Sequence, residues 1–139
     1  MNQKKKITKM VSEKIKKSTP TIPENKKLHS LTLEKSKSHI IVEIIEYMAN
    51  AEVIKTIIKK STGNISIMSF ESGEGLTEKT SPFESFVQII EGKAEIVIDK
   101  KSNILGSGQG IIIPAHSPNF IKPNGRFKMI STIIKSDNE

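Results

Sequence analysis

Two glycine-bounded stretches, residues 73–92 and 108–123, contain the side chains that are candidates for chemistry. These candidates are, in chain order, Lys79, Ser81, Ser85, His116 and Asn119. All five can hydrogen-bond a small polar ligand, and lysine or histidine can also act as an acid or a base. No serine lies in the context of a nucleophile elbow, and no acid–histidine–serine set is suggested by spacing. The residue types therefore favour ligand binding over nucleophilic catalysis.

The composition excludes several other classes of protein. The chain has no cysteine, and so no disulfide, no thiolate metal site and no thiol nucleophile. Its 139 residues fit one domain that can bury a core. No apolar run approaches the roughly 20 residues of a membrane span, and the basic N-terminus lacks the apolar segment of a secretory signal. We therefore expect a cytoplasmic protein without a transmembrane segment.

Positive charge is concentrated at the N-terminus. Residues 1–38 hold 11 lysines and three acids, a net charge of +8, whereas residues 39–139 hold 11 basic and 12 acidic side chains, a net charge of −1. Arg126 is the sole arginine, although a specific nucleic-acid reader would use arginine for bidentate contacts. We therefore expect no specific nucleic-acid partner, and we divide the chain into a basic arm and linker (1–38) and a folded domain (39–139).

The basic arm supports two interpretations. Ile7, Met10, Val11 and Ile15 lie near helical spacing, which fits a short amphipathic helix on an acidic surface. The lysine-rich composition fits a disordered tail instead, and this is the interpretation that we favour. Residues 18–27 contain two prolines among polar residues and are predicted to be a linker.

Beyond residue 39 the sequence is rich in isoleucine, which favours strands. Residues 40–48 fit either a strand or one face of a helix, and we favour the strand. The predicted strands are residues 40–48, 53–60, 65–70, 83–91, 94–99, 111–113 (a buried strand ended by Pro114) and 126–135. Turns are predicted at 61–64, at 91–93 within a hairpin, at 100–103 and at 123–125, with a loop at 106–110. Seven to nine short strands with frequent turns indicate a sandwich or a barrel.

The two stretches resemble the paired sequence motifs of the cupins, small β-barrels that usually hold a metal ion in the barrel mouth. Gly73 and Gly92 stand at the two glycines of the first motif, and Gly108 and Pro114 at the glycine and proline of the second. The runs P-F-E-S-F-V-Q-I-I-E-G-K-A-E-I, I-I-I-P-A and F-K-M-I-S-T-I-I resemble a group of small uncharacterised bacterial cupins. The resemblance covers about residues 53–134. It implies an all-β fold, a jelly-roll-like double-stranded β-helix barrel, behind a short helical or disordered arm.

The metal ligands of the cupin motifs are replaced. The resemblance puts Lys79, Ser81, Ser85 and Asn119 at the positions where cupins carry three histidines and a glutamate. Protonated lysine has no lone pair, and serine and asparagine are poor ligands for transition metals. We therefore expect no metal and no cofactor at the usual positions.

Displaced ligands are not favoured as a rescue of the metal site. Glu78 and Glu84 each lie one residue from a ligand position, and alternation in a strand directs them to the opposite face. His116 precedes the expected histidine by three residues in a predicted loop, and a single histidine makes a weak metal site.

Three functions stay open at this point, one of which is that the basic arm tethers the barrel to an acidic surface. A metal-free barrel would bind a small polar or anionic molecule through Lys79, Ser81, Ser85, His116 and Asn119, or would serve as a scaffold. An enzyme of the cupin type, an isomerase, epimerase or lyase acting on a sugar or organic acid, would use Lys79 or His116 as acid–base groups or a non-standard metal site. We favour the metal-free barrel, because the structural glycines and prolines are retained while all four ligand positions are changed. The resemblance also implies a homodimer, with residues 40–60 as a candidate for edge or swapped strand pairing.

Overall fold

The computed structural model describes residues 33–71 and 77–135, with the backbone alone for residues 123 and 124. The predicted N-terminal helix or tail, the predicted linker and Gly73 lie outside the described residues. In the described part of the chain, no helix is long and apolar enough to cross a membrane.

Six antiparallel strands form the described fold, which confirms the prediction of an all-β protein. The strands are β1 (Glu52–Lys60), β2 (Gly63–Phe70), β3 (Glu84–Ile98), β4 (Lys101–Gly106), β5 (Gly110–Ile113) and β6 (Asn119–Ile134). Isoleucine and valine occur in most of them, since β-branched side chains fit a pleated surface. The predicted strands at 53–60, 65–70 and 111–113 are confirmed as β1, β2 and β5, although Ile112 of β5 is exposed and only Ile113 is buried.

The long strands β3 and β6 pair with each other and take part in two sheets. The first half of β3 and the second half of β6 belong to a five-stranded side with the order β5–β3–β6–β2–β1. The second half of β3 lies between β4 and the first half of β6. Because both long strands pass from one side into the other, the two sides enclose a barrel interior, as a double-stranded β-helix requires.

The predicted hairpin around residues 91–93 is wrong, because residues 84–98 form a single strand. Gly92 has a φ of +87° and lies where the register between β3 and β6 shifts. A Cβ atom at this position would collide with the carbonyl oxygen of Arg126, so glycine is required for the close approach of the two strands. Gly92 therefore permits a β-bulge that bends the strand, and not a turn that reverses it.

The predicted turn at residues 123–125 is wrong in the same way, since β6 runs without interruption through it. Gly125 has a φ of +97° and lies opposite the bend in β3, where the register shifts a second time. The predicted turn at 100–103 begins one residue earlier, at Asp99 and Lys100, which both have positive φ. The strand that follows, β4, was missed. The described residues therefore form six strands, and not the predicted seven to nine. Two predicted strands are merged into β3, the predicted strand at 40–48 is absent, and β4 is added.

Residues 40–51, called the strap below, are not the strand that we favoured. Ile41–Glu43 forms a short 3-10 turn, and a bridge joins Met48 to Ala51. The segment crosses the outside of the sheet and buries Ile45 completely against it. Its isoleucines fitted both a strand and a helix face because they contact the apolar sheet at irregular spacing, and no regular element sets their period.

Apolar side chains fill the barrel interior and a second cluster lies under the strap. Phe70 and Phe127 stack inside with ring centroids 4.6 Å apart and 12° between the ring planes. The interior cluster is completed by Val87, Ile89, Ala94, Ile96, Leu105, Ile113, Ile121 and Met129. The outer cluster joins Ile45 to Val53 and Ile67. Strand β2 is therefore buried on both faces, with Phe70 inside the barrel and Ile67 under the strap.

Three side chains of the sheet bind the strap by its backbone. They donate hydrogen bonds to its carbonyl oxygens as follows: Lys55 to Ile44 at 2.6 Å, Ser69 to Glu46 at 2.8 Å and Lys128 to Val42 at 2.7 Å. Ser69 is fully buried and Lys128 is nearly so. An irregular segment cannot satisfy its own carbonyl groups, so these donors are what allows it to pack on the sheet.

Candidate functional site

The two glycine-bounded stretches meet at one end of the barrel, which we call the mouth and define by Lys79, Ser81, His116 and Asn119. Lys79 and Asn119 form an antiparallel bridge in which each backbone N–H donates to the carbonyl oxygen of the other at 2.9 Å. Next to this bridge, the N–H of His116 donates to the carbonyl oxygen of Ser81 at 2.6 Å. Backbone pairing therefore brings four of the five predicted site residues together.

The bridge directs Lys79 towards the interior side of the barrel. Asn119 also pairs with Ile98 of β3, whose side chain packs against the interior cluster. Directly paired residues of a sheet project to the same face, so Lys79, Asn119 and Ile98 share one. Lys79 is exposed to solvent at this end of the barrel. Its ammonium group is thus accessible to an anion that approaches the mouth.

Asn119 holds the two stretches together with its side chain as well as its backbone. It is 3% exposed, and its amide nitrogen donates to the carbonyl oxygens of Ser117 at 2.8 Å and Lys79 at 3.3 Å. Because its amide N–H groups bond backbone, Asn119 acts mainly as a positioning residue for Lys79.

Ser81 and His116 lie in the mouth next to the bridge between Lys79 and Asn119. The hydroxyl oxygen of Ser81 accepts a hydrogen bond from the N–H of Phe83 at 3.0 Å, which leaves its O–H as a donor. His116 has a φ of +65°, an uncommon conformation outside glycine, and its side chain is exposed. The positive φ turns the chain so that the His116 N–H reaches Ser81.

Ser85, the fifth predicted site residue, lies near the start of β3. It pairs with Ile113 of β5 and alternates with the buried Val87 and Ile89, so its half-buried side chain faces the interior. Glu84 is exposed on the other face, as the alternation predicted. Ser85 therefore faces the barrel interior, whereas Glu84 faces outward, and no hydrogen bond in the described residues joins Ser85 to the other four site residues.

The comparisons with known proteins agree on the fold. A conserved protein of unknown function from Streptococcus pyogenes is 23% identical and aligns over 79% of this chain and 96% of its own, with a TM-score of 0.73. A cupin superfamily protein from Desulfitobacterium hafniense is 25% identical over 76% of this chain and 96% of its own, with a TM-score of 0.71. The chain folds as a cupin.

A third structure extends this result to a longer protein. A cupin 2 conserved barrel domain protein from Leptotrichia buccalis is 28% identical over 68% of this chain, with a TM-score of 0.65, and the match spans 46% of that protein. No family model matches the sequence, and no curated protein matches it. The structural comparisons thus confirm the cupin resemblance of the two motifs, whereas they assign no specific activity.

The donors at the usual cupin ligand positions do not fit a transition metal. They are an ammonium group (Lys79), two hydroxyls (Ser81 and Ser85) and an amide whose nitrogen donates to backbone (Asn119). In residues 33–71 and 77–135, no group of three or more histidine, aspartate or glutamate side chains could hold a metal ion. These four side chains are therefore better suited to hydrogen-bond a ligand than to coordinate a metal ion.

Apolar side chains fill the interior of the barrel. Ile113 and Ile98, the cross-strand partners of Ser85 and Asn119, pack into or against this interior cluster. The cluster continues from there to the stacked Phe70 and Phe127. A ligand would therefore be small and would contact the mouth residues from the solvent side.

A cluster of charged and aromatic side chains outside the barrel was missed by the sequence analysis. The hydroxyl of Tyr47 in the strap donates to the carboxylate of Glu91 at 2.7 Å. The Arg126 guanidinium lies 4.2 Å from the centroid of the Tyr47 ring, and the Lys128 ammonium lies 5.0 Å from it. Arg126 also forms a salt bridge with Glu71 at 3.2 Å. Burial, followed by the bond to Glu91, raises the pKa of Tyr47 above its ordinary range.

The feature of the sequence that could have indicated this cluster is the rarity of two of its residue types. Tyr47 is the sole tyrosine and Arg126 the sole arginine of the chain. Their contact joins residues 79 positions apart, and only the folded sheet brings them together. We call Tyr47, Glu91, Arg126 and Lys128 the Tyr47 latch, because they hold the strap on the sheet.

Proposed function

We propose that this cupin binds a small polar or anionic molecule at its mouth, without a metal held at the usual cupin positions. The observation that carries the proposal is the bridge between Lys79 and Asn119, in which each backbone N–H bonds the carbonyl oxygen of the other at 2.9 Å. It fixes the backbone of Lys79, an exposed cationic residue, beside hydrogen-bonding residues from both motifs. This is a combination that suits an anion and not a metal cation.

The chemistry of the mouth favours an anion that also accepts hydrogen bonds. The ammonium of Lys79 would supply charge, while the O–H of Ser81 and the imidazole of His116 would supply donors. Ser85 would contact a group that reaches the barrel interior. A sugar acid, an organic acid or a phosphate ester of small size has this pattern of charge and acceptors.

The test is a thermal-shift screen of the full chain with sugars, citrate, malate, glucuronate and inorganic phosphate. A ligand that binds only the folded state raises the melting temperature. At a concentration of 100 times its Kd it adds about 2.7 kcal/mol to the free energy of unfolding. For an anion that gives a shift, Lys79→Ala should remove most of it. Lys93→Ala is the matched control, because Lys93 is an exposed lysine of β3 away from the mouth.

Two results would contradict the proposal. One is a ligand whose thermal shift survives Lys79→Ala and His116→Ala but not a change elsewhere on the barrel. The other is a shift that Lys93→Ala reduces as strongly as Lys79→Ala, which would indicate a general charge effect. The first result would place the ligand site elsewhere on the barrel, and the second would favour a scaffold without a specific ligand.

The enzyme hypothesis, the cytoplasmic location and the homodimer stay predictions. An isomerase, epimerase or lyase that used Lys79 or His116 would lose turnover of its substrate in Lys79→Ala or His116→Ala. If both variants kept full turnover of a substrate, these residues would have no catalytic role.

A further inference from the structure

A groove of about 550 Å³ runs along the last residues of β1, between Ile57–Lys60 and the segment from Leu33 to His39. β1 is an edge strand, since in the described part of the chain it pairs with β2 alone. None of the four mouth residues lines this groove. The groove is therefore a separate cavity, and its volume lies within the range of small-molecule sites in proteins.

A β-bulge in β1 supplies the apolar floor of the groove. In a regular strand, two consecutive side chains point to opposite faces. The register between β1 and β2 shifts between Thr56 and Ile58, so Ile57 is an extra residue, and both Ile57 and Ile58 line the groove. Ile57 also packs against the cluster under the strap, whereas Ile58 is 45% exposed. The floor is therefore anchored through Ile57 and accessible to a ligand at Ile58.

The facing wall of the groove is a short turn of the chain. Ser36 has a φ of +58°, and the ring N–H at Nε2 of His39 donates to the carbonyl oxygen of Glu34 at 3.1 Å, which closes the turn. Leu33 and His39 are half-buried and line the groove. The groove thus has apolar surface on both sides.

The rim of the groove carries an excess of positive charge. Lys35, Lys59 and Lys60 line it, and in the described part of the chain none of the three forms a salt bridge. Among the described residues, Glu34 is the sole acidic side chain that lines the groove, and its carboxylate lies 3.5 Å from the ammonium of Lys37. Three exposed ammonium groups beside an apolar floor match a molecule with an apolar chain and an anionic end.

We infer that this groove binds a free carboxylate with an apolar chain, of the size of a medium-chain fatty acid. The chain lies along Ile57, Ile58 and Leu33, and the carboxylate accepts charge-assisted hydrogen bonds from the ammonium groups of Lys59 and Lys60. Such a ligand differs from the small polar anion proposed for the mouth, because it gains affinity from its apolar chain as well as from its charge.

Two other occupants fit the groove less well. A peptide that extends a sheet needs a regular row of backbone groups on the edge strand, and a bulge together with lysine side chains interrupts such a row. Binding to a bilayer needs apolar side chains that protrude into the acyl region, whereas Ile57 and Leu33 are half-buried. A free amphipathic molecule can enter the groove without either requirement.

The test is isothermal titration calorimetry of the full chain with hexanoate, octanoate and decanoate, each below its micelle concentration. Each added methylene group that enters the groove should strengthen binding by about twofold to fourfold. Decyltrimethylammonium, which has the same chain as decanoate and a positive end, should bind at least about tenfold more weakly. Added salt should weaken decanoate binding, because it screens exposed charges.

Two pairs of neighbouring lysines give a matched comparison. The double variant Lys59→Glu, Lys60→Glu should weaken decanoate binding by about tenfold or more, because the carboxylate of the ligand then meets two anions. The double variant Lys100→Glu, Lys101→Glu changes the net charge equally, at the exposed turn between β3 and β4. It should keep the wild-type affinity to within about twofold, because distant exposed charges are screened.

A second comparison tests the floor of the groove. Ile58→Gln should weaken decanoate more than hexanoate, and so reduce the gain in affinity per methylene group. Ile104→Gln is the control, since Ile104 is 60% exposed on β4 and does not line the groove. All of the substituted residues are exposed, and circular dichroism with the melting temperature shows that each variant is folded.

Four results would overturn the proposal. They are the absence of saturable decanoate binding by the wild-type chain, an affinity that does not depend on chain length, an equal loss of affinity in the two lysine-pair variants, and a loss of decanoate binding in Lys79→Ala. Binding to phosphatidylglycerol vesicles without binding of free decanoate would likewise replace the free carboxylate by a membrane surface. The thermal-shift screen tests the mouth with small polar anions, so either proposal can fail while the other stands.

Discussion

The guanidinium of Arg126 lies 4.2 Å from the centroid of the Tyr47 ring, so the sole arginine of the chain covers its sole tyrosine. The hydroxyl of the same tyrosine donates a hydrogen bond to the carboxylate of Glu91 at 2.7 Å. Through these two contacts, β6 and β3 both hold the strap. The latch matters because the strap covers an isoleucine surface that would otherwise be exposed on the barrel.

We predict that Tyr47 ionises above the ordinary tyrosine pKa of about 10. Burial disfavours the phenolate, and the nearby Glu91 carboxylate disfavours it further. Because the chain contains one tyrosine and no tryptophan, the near-ultraviolet absorbance of the phenolate reports this residue alone. Glu91→Gln should shift the titration towards lower pH. If Tyr47 ionised at the same pH in the folded protein as in the unfolded chain, the burial of Tyr47 and its bond to Glu91 would be contradicted.

The same shift predicts a loss of stability in alkali. A tyrosine pKa that is higher in the folded state than in the unfolded state stabilises the fold fully below about pH 10. As the pH rises above that value, the unfolded chain ionises first and the contribution is lost. Denaturant unfolding of wild type and Tyr47→Phe should therefore show a stability difference that changes with pH only above about pH 10. A pH-independent difference would mean that Tyr47 acts through packing alone.

Ser69→Ala should destabilise the protein by about 1–2 kcal/mol, because it leaves the carbonyl oxygen of Glu46 buried without its donor. Ser69 is fully buried, so water cannot replace the hydroxyl without a change of packing. Ser61→Ala, in the exposed turn between β1 and β2, is the control and should be nearly neutral. Equal effects of the two changes in denaturant unfolding would show that the strap is not held by this bond.

Gly92→Ala and Gly108→Ala form a matched pair, since the two glycines have φ values of +87° and +88°. At Gly108 no atom lies within 4 Å of the added Cβ, so the cost is backbone strain of about 1 kcal/mol. At Gly92 the Cβ meets the backbone of Arg126 and Phe127, and we expect a cost of about 3 kcal/mol or more. Thermal unfolding of both variants measures the difference. Similar costs would mean that the bulge relaxes easily.

We predict that chelators leave the stability unchanged. Protein purified without chelators should contain substoichiometric zinc, nickel, iron and manganese by plasma mass spectrometry, because Lys79, Ser81, Ser85 and Asn119 are unsuitable donors. The melting temperature should be the same with and without EDTA. Stoichiometric metal together with a lowered melting temperature in EDTA would overturn the metal-free proposal. Glu78, Glu84 and His116 would then be the first residues to mutate.

The sequence by itself determined the fold class and several of the strands. The isoleucine-rich runs with alternation predicted β1 and β2, and the paired glycine-bounded motifs indicated the cupin barrel that the structural comparisons confirm. The resemblance put Lys79 and Asn119 at ligand positions of the two cupin motifs, and the structure joins them by a backbone bridge. The predictions of β1 and β2 succeeded because they rest on local periodicity, which the chain carries in its own order.

Only the tertiary structure decided where the chain bends and what covers its faces. Gly92 and Gly125 could mark turns or bulges, and the choice depends on the partner strand, since β3 and β6 stay paired through both positions. The strap has no regular element, because the sheet side chains Lys55, Ser69 and Lys128 satisfy its backbone instead. The contact between Tyr47 and Arg126 also depends on strand register, because register sets which residue of β6 lies beside the strap. Register is a long-range property, fixed by which apolar face is buried and not by any local pattern.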